Sequence, residues 1–330
     1  GGAFDVTVGP VVRLWNFGPH PSELNDVPSD EEIEAAKALT GLDSVIIQPM
    51  ADDETRFTVI KTKPGIYIDL SGIAKGYSSD LLGERFEAMG IRNYMVEVGG
   101  EIKTGGHNPT GGPWRIGIEV PEVGEFEIEG VIPLSRGMAI ATSGDYRNFF
   151  EQDGRRYSHI IDPRTGRPID HALASVSIID PSCAWADALA TALMVMGPDR
   201  AYEFAEENGI AARLIIRDPS LDVAGELPGF TAKATSKWDE LIKVMDADTV
   251  PAGEETPGNI LATVIATLIV FAVVIVTLVI GTVRGRGRPQ CECGAARKLM
   301  RDYDAIQKAK KVSNKPEDID PNDLPIVPPK

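Results

Sequence analysis

Residues 174–196 read Ala174-Ser175-Val176-Ser177-Ile178-Ile179-Asp180-Pro181-Ser182-Cys183-Ala184-Trp185-Ala186-Asp187-Ala188-Leu189-Ala190-Thr191-Ala192-Leu193-Met194-Val195-Met196. The first part predicts a strand over Ala174–Ile179 and the second a helix over Ala184–Met196. Downstream, a helix is expected near Asp199–Asn208 and a strand at Ala211–Ile216. Upstream, strands are expected at Ser44–Gln48, Arg56–Ile60, Ile66–Asp69, Tyr94–Val98, Arg115–Val120, Met138–Thr142 and Arg156–Ile160. Ser29 and Glu32 form a capping box for a helix near Asp30–Leu39, and a further helix near Ile73–Met89 stops at Gly90. Asp5–Trp15 is read as extended. The mixture is α+β around one antiparallel core.

The helix after Trp185 is nearly all apolar, so Asp187 is costly there unless paired or coordinated. Thr191 lies four residues on, which puts both oxygens on one helix face. A carboxylate and a hydroxyl suit a hard cation such as Mg²⁺. The plain alternative is a surface Asp beside a Thr bonded back to its own helix.

Asp69-Leu70-Ser71-Gly72-Ile73-Ala74-Lys75-Gly76-Tyr77 places an acidic residue at a strand end and a Ser-Gly turn before a helix. A helix N-terminus offers free N–H groups to a phosphate, and Lys75 adds a point charge. Alternatively Ser71 is an ordinary helix cap and Lys75 lies on the surface. The glycine spacing is not that of a Walker A loop. Gly1-Gly2-Ala3-Phe4-Asp5-Val6-Thr7-Val8-Gly9-Pro10 brings glycines that allow close backbone approach to a ligand, with Asp5 as an acceptor. In Tyr157-Ser158-His159-Ile160-Ile161-Asp162-Pro163-Arg164-Thr165-Gly166 the last five residues form a turn. His159 is either a base or ligand contact, or a satisfied structural histidine. Thr142-Ser143-Gly144-Asp145-Tyr146-Arg147 could lie against a flat ligand.

The chain has 330 residues and a formal net charge of −16. That acidity argues against a phosphate-backbone binder, and three cysteines exclude a disulfide scaffold. The charge divides unevenly. Residues 281–330 hold eleven Lys/Arg and seven Asp/Glu, while residues 259–280 hold no charge. The 21 residues Ile260–Ile280 contain no Pro or Gly and would span roughly 31 Å as a helix. A single membrane span is expected. Arg284, Arg286 and Arg288 follow it, and Asp246, Asp248, Glu254 and Glu255 precede it, so the acidic body is expected outside and the tail inside. The expected organisation is a domain over 1–245, a linker over 246–258, a transmembrane helix over 259–281 and a basic cytoplasmic tail over 282–330. The tail is expected to hold a helix near Ala295–Lys311 and a Pro-rich disordered end. An exported body needs a signal, and none is seen after Gly1. The chain is therefore expected to be a fragment or processed product.

In this order, GGAFDVTVGP, DLSGIAKGY, VEVGGEIKTGG, ATSGDYRNFF, SHIIDPRTG and the Asp187/Thr191 helix resemble the FAD:protein FMN transferase family, the ApbE-like flavin transferases. The resemblance covers roughly Gly1 to Lys243. It implies a single α+β domain that splits FAD, attaches FMN through a phosphoester to a threonine of a partner protein, and releases AMP. It implies FAD contacts at Ala3, Phe4, Asp5, Asp69, Lys75, His159 and Ile160. It also implies a Mg²⁺ site of Asp187 and Thr191 with the carbonyls of Gly72 and Ala184. Family members carry further FAD contacts upstream of GGAFD. Implied partners are subunits of the Na⁺-translocating NADH:quinone reductase and of the Rnf complex, with an acceptor pattern ending Ser/Thr-Gly-Ala-Thr. No such tetrapeptide occurs in this chain, which favours action in trans. His159 is the candidate base. The competing readings are an FAD-binding protein or FAD pyrophosphatase, and a non-enzymatic membrane assembly factor. The expected location is a bacterial inner membrane with a periplasmic catalytic domain. Cys291 and Cys293 in the tail weakly resemble the iron-supplying maturation factor of the same reductase, so iron is an expected ligand there; the alternative is a pair of reduced thiols.

Overall fold

The computed structural model describes residues 1–18, 26–51, 53–121, 128–221 and 229–248. The expected span at 259–281, the tail at 282–330 and Cys291 and Cys293 lie outside the described residues, as do all but the first residues of the expected linker. Among the described residues no helix is long and apolar enough to cross a membrane.

The chain begins with α1 (Gly9–Leu14) and α2 (Asp30–Lys37), then a hairpin of β1 (Val45–Met50) and β2 (Asp53–Lys61). Helix α3 (Ala74–Ala88) leads to β3 (Tyr94–Val98) and β4 (Glu101–Gly105). A second hairpin joins β5 (Trp114–Glu119) to β6 (Ile128–Leu134), and β7 (Ala139–Gly144) follows. Two small hairpins come next, β8 (Phe149–Gln152) with β9 (Arg155–Ser158), and β10 (Ile161–Asp162) with β11 (Arg167–Pro168). The chain continues through β12 (Leu173–Asp180), α4 (Cys183–Met196), α5 (Pro198–Glu207), β13 (Ala211–Arg217), β14 (Phe230–Ala234) and α6 (Ser236–Asp246).

Six of these strands form the central sheet in the order β14-β13-β12-β7-β4-β3. Every pairing in it is antiparallel, as expected from the sequence. The sheet is covered on both faces, which is why β12 is buried along nearly its whole length. On one face Val176, Ile178 and Leu214 meet Ala186, Ala190, Leu193 and Met194 of α4 and Ala201 and Ala205 of α5. On the other, Ile140, Ile179 and Ile215 meet the β5–β6 hairpin and Trp238 and Met245 of α6. A smaller cluster joins Val11 and Trp15 to Ile33, Phe150 and Ile161. Trp15 Nε1 donates to the carbonyl of Gly166 at 2.8 Å, which fixes the N-terminal segment against the β10–β11 turn.

Ser29 and Glu32 form the capping box of α2, with both reciprocal bonds present. Two segments differ. Residues 9–14 are helical, not extended: Pro10 is compatible with a first helical turn, and Val11 and Trp15, four apart, bury one face. Residues 66–69 form no strand; Asp69 donates its N–H to the carbonyl of Val6 at 2.7 Å, which ties two sequence motifs together. Helix α6 and strands β4, β6, β8, β10, β11 and β14 have no counterpart among the elements expected from the sequence. Thr235, which accepts from Trp238 N, is the cap that could have revealed α6.

Candidate active site

Helices α3 and α4 meet at their N-termini and cap one another. Asp80 of α3 accepts from Cys183 N at 2.9 Å, Ala184 N at 3.0 Å and Ser182 Oγ at 3.0 Å. Asp187 of α4 accepts from Gly76 N, in the first turn of α3, at 3.0 Å. Each carboxylate therefore sits at the positive end of the other helix. The approach is close because residue 76 is Gly: a Cβ there would lie 2.3 Å from the Cys183 carbonyl oxygen.

The meeting point opens on a cavity of about 630 Å³, a size typical of ligand sites. Ala3, Phe4, Asp5, Asp69, Gly72, Lys75, His159, Ile160, Asp187 and Thr191 all line it. Ala184 does not. It occupies the first turn of α4, where its N–H is capped by Asp80. Sequence positions more than a hundred apart thus share one wall, and the order of the motifs along the chain gives way to one site.

Asp5 and Asp69 hold their turns in the same way. Asp5 Oδ1 accepts from Thr7 N and Thr7 Oγ1 at 2.8 and 2.6 Å, and Asp69 Oδ1 accepts from Ser71 N at 2.9 Å and from the Ser71 hydroxyl. Ser71 therefore serves Asp69 and is not the cap of α3, whose flanking residue is Ile73. Gly72 is flanked by Phe4 and Thr191, with an added Cβ 3.0 Å from Phe4 Cε2 and 3.3 Å from Thr191 Oγ1. Thr191 Oγ1 shares a hydrogen bond of 3.1 Å with Ser143 Oγ.

The electrostatic centre is Lys75. Its Nζ lies 2.7 Å from Glu101 Oε1 and 3.4 Å from Asp187 Oδ1. Burial pulls the ammonium pKa down, but the Glu101 hydrogen bond and the charges of Asp187 and Glu101 outweigh it and hold it above its ordinary value. Burial pushes the Glu101 carboxyl up to about 7 against the pull of Lys75. Asp187 is 1% exposed, so it is not the surface residue of the plain alternative.

His159 Nδ1 lies 3.0 Å from the carbonyl oxygen of Asn148. A carbonyl only accepts, so the proton sits on Nδ1 and Nε2 keeps its lone pair. Burial lowers the imidazole pKa, which keeps it neutral at pH 7. Cys183 is buried with its thiol pushed up to about 12 by burial, so it is not a nucleophile.

Ser143 and Arg147, from the segment expected to lie against a flat ligand, line the cavity, and so do Glu101 and Glu119, which the sequence does not single out. Glu119 pairs with the Arg147 guanidinium across the cavity wall. For Glu101 a signal was present: Gly99 and Gly100 both have positive φ, a tight turn that delivers the next residue to the site.

The chain belongs to the ApbE family, whose profile matches residues 1–214. It is 50% identical over 216 residues to an FAD:protein FMN transferase of Vibrio cholerae serotype O1, covering 66% of this chain and 62% of that protein. A Haemophilus influenzae FAD:protein FMN transferase is 43% identical over 246 residues, covering 74% of this chain and 67% of the relative. The solved flavin transferase ApbE from Vibrio cholerae superposes with a TM-score of 0.61 at 46% identity, covering 72% of this chain and 71% of that one. The chain thus spans about three fifths to two thirds of the length of the two relatives.

Proposed function

We propose that this chain carries the core of an FAD:protein FMN transferase. The observation behind this reading is the convergence of Phe4 and Asp5, Asp69 and Lys75, His159, and Asp187 and Thr191 on one cavity. It is supported by a chain 50% identical to a transferase of that name.

A divalent cation fits the donor set. Asp187 is buried, and Lys75 Nζ, held at 2.7 Å by Glu101, stands 3.4 Å from its Oδ1, so its charge is only partly compensated. The carboxylate of Asp187, the hydroxyl of Thr191 and the carbonyl of Gly72 are hard oxygens suited to Mg²⁺. The family resemblance adds the carbonyl of Ala184. Mg²⁺ held there would neutralise pyrophosphate charge.

The protein's own groups then have defined tasks. Lys75 offers its charge to the phosphates, and Phe4 offers a flat apolar face beside Gly72 for the flavin. The acceptor threonine oxygen forms a bond to the FMN phosphorus as the phosphoanhydride bond to AMP breaks, and AMP leaves with the electron pair. The hydroxyl proton passes to Nε2 of His159, whose tautomer the Asn148 carbonyl sets.

The test is incubation with FAD, Mg²⁺ and an acceptor protein carrying Ser/Thr-Gly-Ala-Thr, such as a subunit of a Na⁺-translocating NADH:quinone reductase or Rnf complex. Mass spectrometry of the acceptor should show an FMN adduct with matching AMP release. AMP without adduct would instead indicate an FAD pyrophosphatase, and acceptor capture without turnover an assembly factor.

The same proposal places the acidic body in the periplasm, with residues 259–281 as its anchor in the inner membrane and Cys291 and Cys293 holding iron in the cytoplasm. A membrane-impermeant thiol reagent should then label these cysteines only after cells are opened, and iron should follow them into the purified chain.

A further inference from the structure

Glu101 opens β4 and is 2% exposed. Its place is fixed by backbone: Ser79 Oγ of α3 donates to the Glu101 carbonyl at 2.9 Å. Oε1 takes Lys75 Nζ at 2.7 Å, while Oε2 is buried and has no partner. A buried acceptor left unpaired is costly, so such an atom implies a donor that arrives in another state of the site.

The donor is already adjacent. Lys75 Nζ is shared, 2.7 Å from Glu101 and 3.4 Å from Asp187 Oδ1. Its stem has room beside Gly99, where an added Cβ would stand 3.0 Å from Lys75 Cδ and 3.8 Å from Glu101 Oε2. An ammonium resting on Asp187 competes with a divalent cation for the same oxygens and repels it. If Lys75 moves fully to Glu101, a second N–H can reach Oε2, which satisfies the orphan oxygen and frees Asp187.

We propose that Glu101 is a positioning residue that draws the Lys75 ammonium off Asp187 and so keeps Asp187 open to a divalent cation. This rests on the cation reading of Asp187 and Thr191. It extends that reading by making cation affinity depend on a residue that is not a ligand.

The test is Mn²⁺ titration by calorimetry on the full chain without FAD, comparing native protein with Asp187→Ala, Glu101→Gln, Lys75→Met and the Glu101→Gln/Lys75→Met double variant. Glu101→Gln should weaken Mn²⁺ binding by about 10–100-fold, the usual range for a residue that orients a metal site from behind. Lys75→Met should bind at least as tightly as native. The double variant, which has the native net charge, should recover near-native affinity because the competitor is gone. A double variant as weak as Glu101→Gln, or a Glu101→Gln that binds like native, would overturn the inference. Should Glu101→Gln fail to fold, Lys75→Met decides alone: tighter or equal binding supports the proposal and weaker binding refutes it. Mn²⁺ binding that survives Asp187→Ala would sink the cation reading itself, and the inference with it.

Discussion

Asp187 Oδ2 accepts the backbone N–H of Gly76 at 3.0 Å, so the residue nominated as a metal ligand is also a cap for a neighbouring helix. The two roles are separable by chemistry. An asparagine keeps an acceptor oxygen for Gly76 N but loses the charge that a cation needs. Asp187→Asn is expected to unfold in urea within about 1 kcal/mol of native, whereas Asp187→Ala loses a further ~1–2 kcal/mol with the cap. FMN transfer, read as adduct mass, should be abolished in both. Transfer by Asp187→Ala in Mg²⁺-free buffer would contradict the assignment.

Gly76 is the contact that lets this reciprocal capping form. Because a Cβ would meet the Cys183 carbonyl oxygen at 2.3 Å, and backbone at a helix start cannot yield easily, Gly76→Ala should cost about 3 kcal/mol. Equilibrium unfolding measures it. A neutral outcome would mean that α3 and α4 can separate without loss.

His159 bears on rate more than on stability. With Nδ1 committed to Asn148, replacement by Gln removes the acceptor at Nε2, and kcat should fall about 10²–10⁴-fold. The native rate should decline as pH drops through a pKa held below the ordinary 6.5 by burial, and that acid limb should vanish in the variant. An unchanged pH profile in His159→Gln would remove it from the mechanism.

His171 lies outside the cavity lining and reports on pH through stability. Its Nε2 bonds the Met194 carbonyl at 2.8 Å, and its Nδ1 accepts from Leu173 N at 3.3 Å, so the neutral ring is required. Burial lowers its pKa below 6.5, so the unfolded chain takes up a proton first. Stability from this group is complete above 6.5 and is lost as pH falls through the folded value. Urea midpoints measured on acidification should drop in the native protein and drop less in His171→Gln; equal slopes would exclude His171 as a source.

How far each feature could be read depended on how local its cause is. The Ser29–Glu32 box is contained in four residues, so its pattern identifies it. Asp187 and Thr191 are four apart on one helix, so their shared face follows from helix geometry alone. By contrast, Glu101 matters because of Lys75, 26 positions away, and no periodicity links them. The region 66–69 has a strand's composition but only a single ladder-like bond, from Asp69 to Val6, and composition cannot say whether a partner strand exists. Helix α1 is not legible in its own segment because its buried residues Val11 and Trp15 pack against Ile33, Phe150 and Ile161, which lie far along the chain.

The sequence by itself determined the antiparallel α+β class, the family and most of the residues that line the site, because these rest on local periodicity, caps and motif order. Tertiary structure alone decided that Asp187 and Asp80 cap each other's helices and that Lys75 stands between two buried carboxylates. The reason is physical. Charge compensation in a buried site is set by distances of a few ångströms between segments that the chain keeps far apart, and only packing brings those segments together.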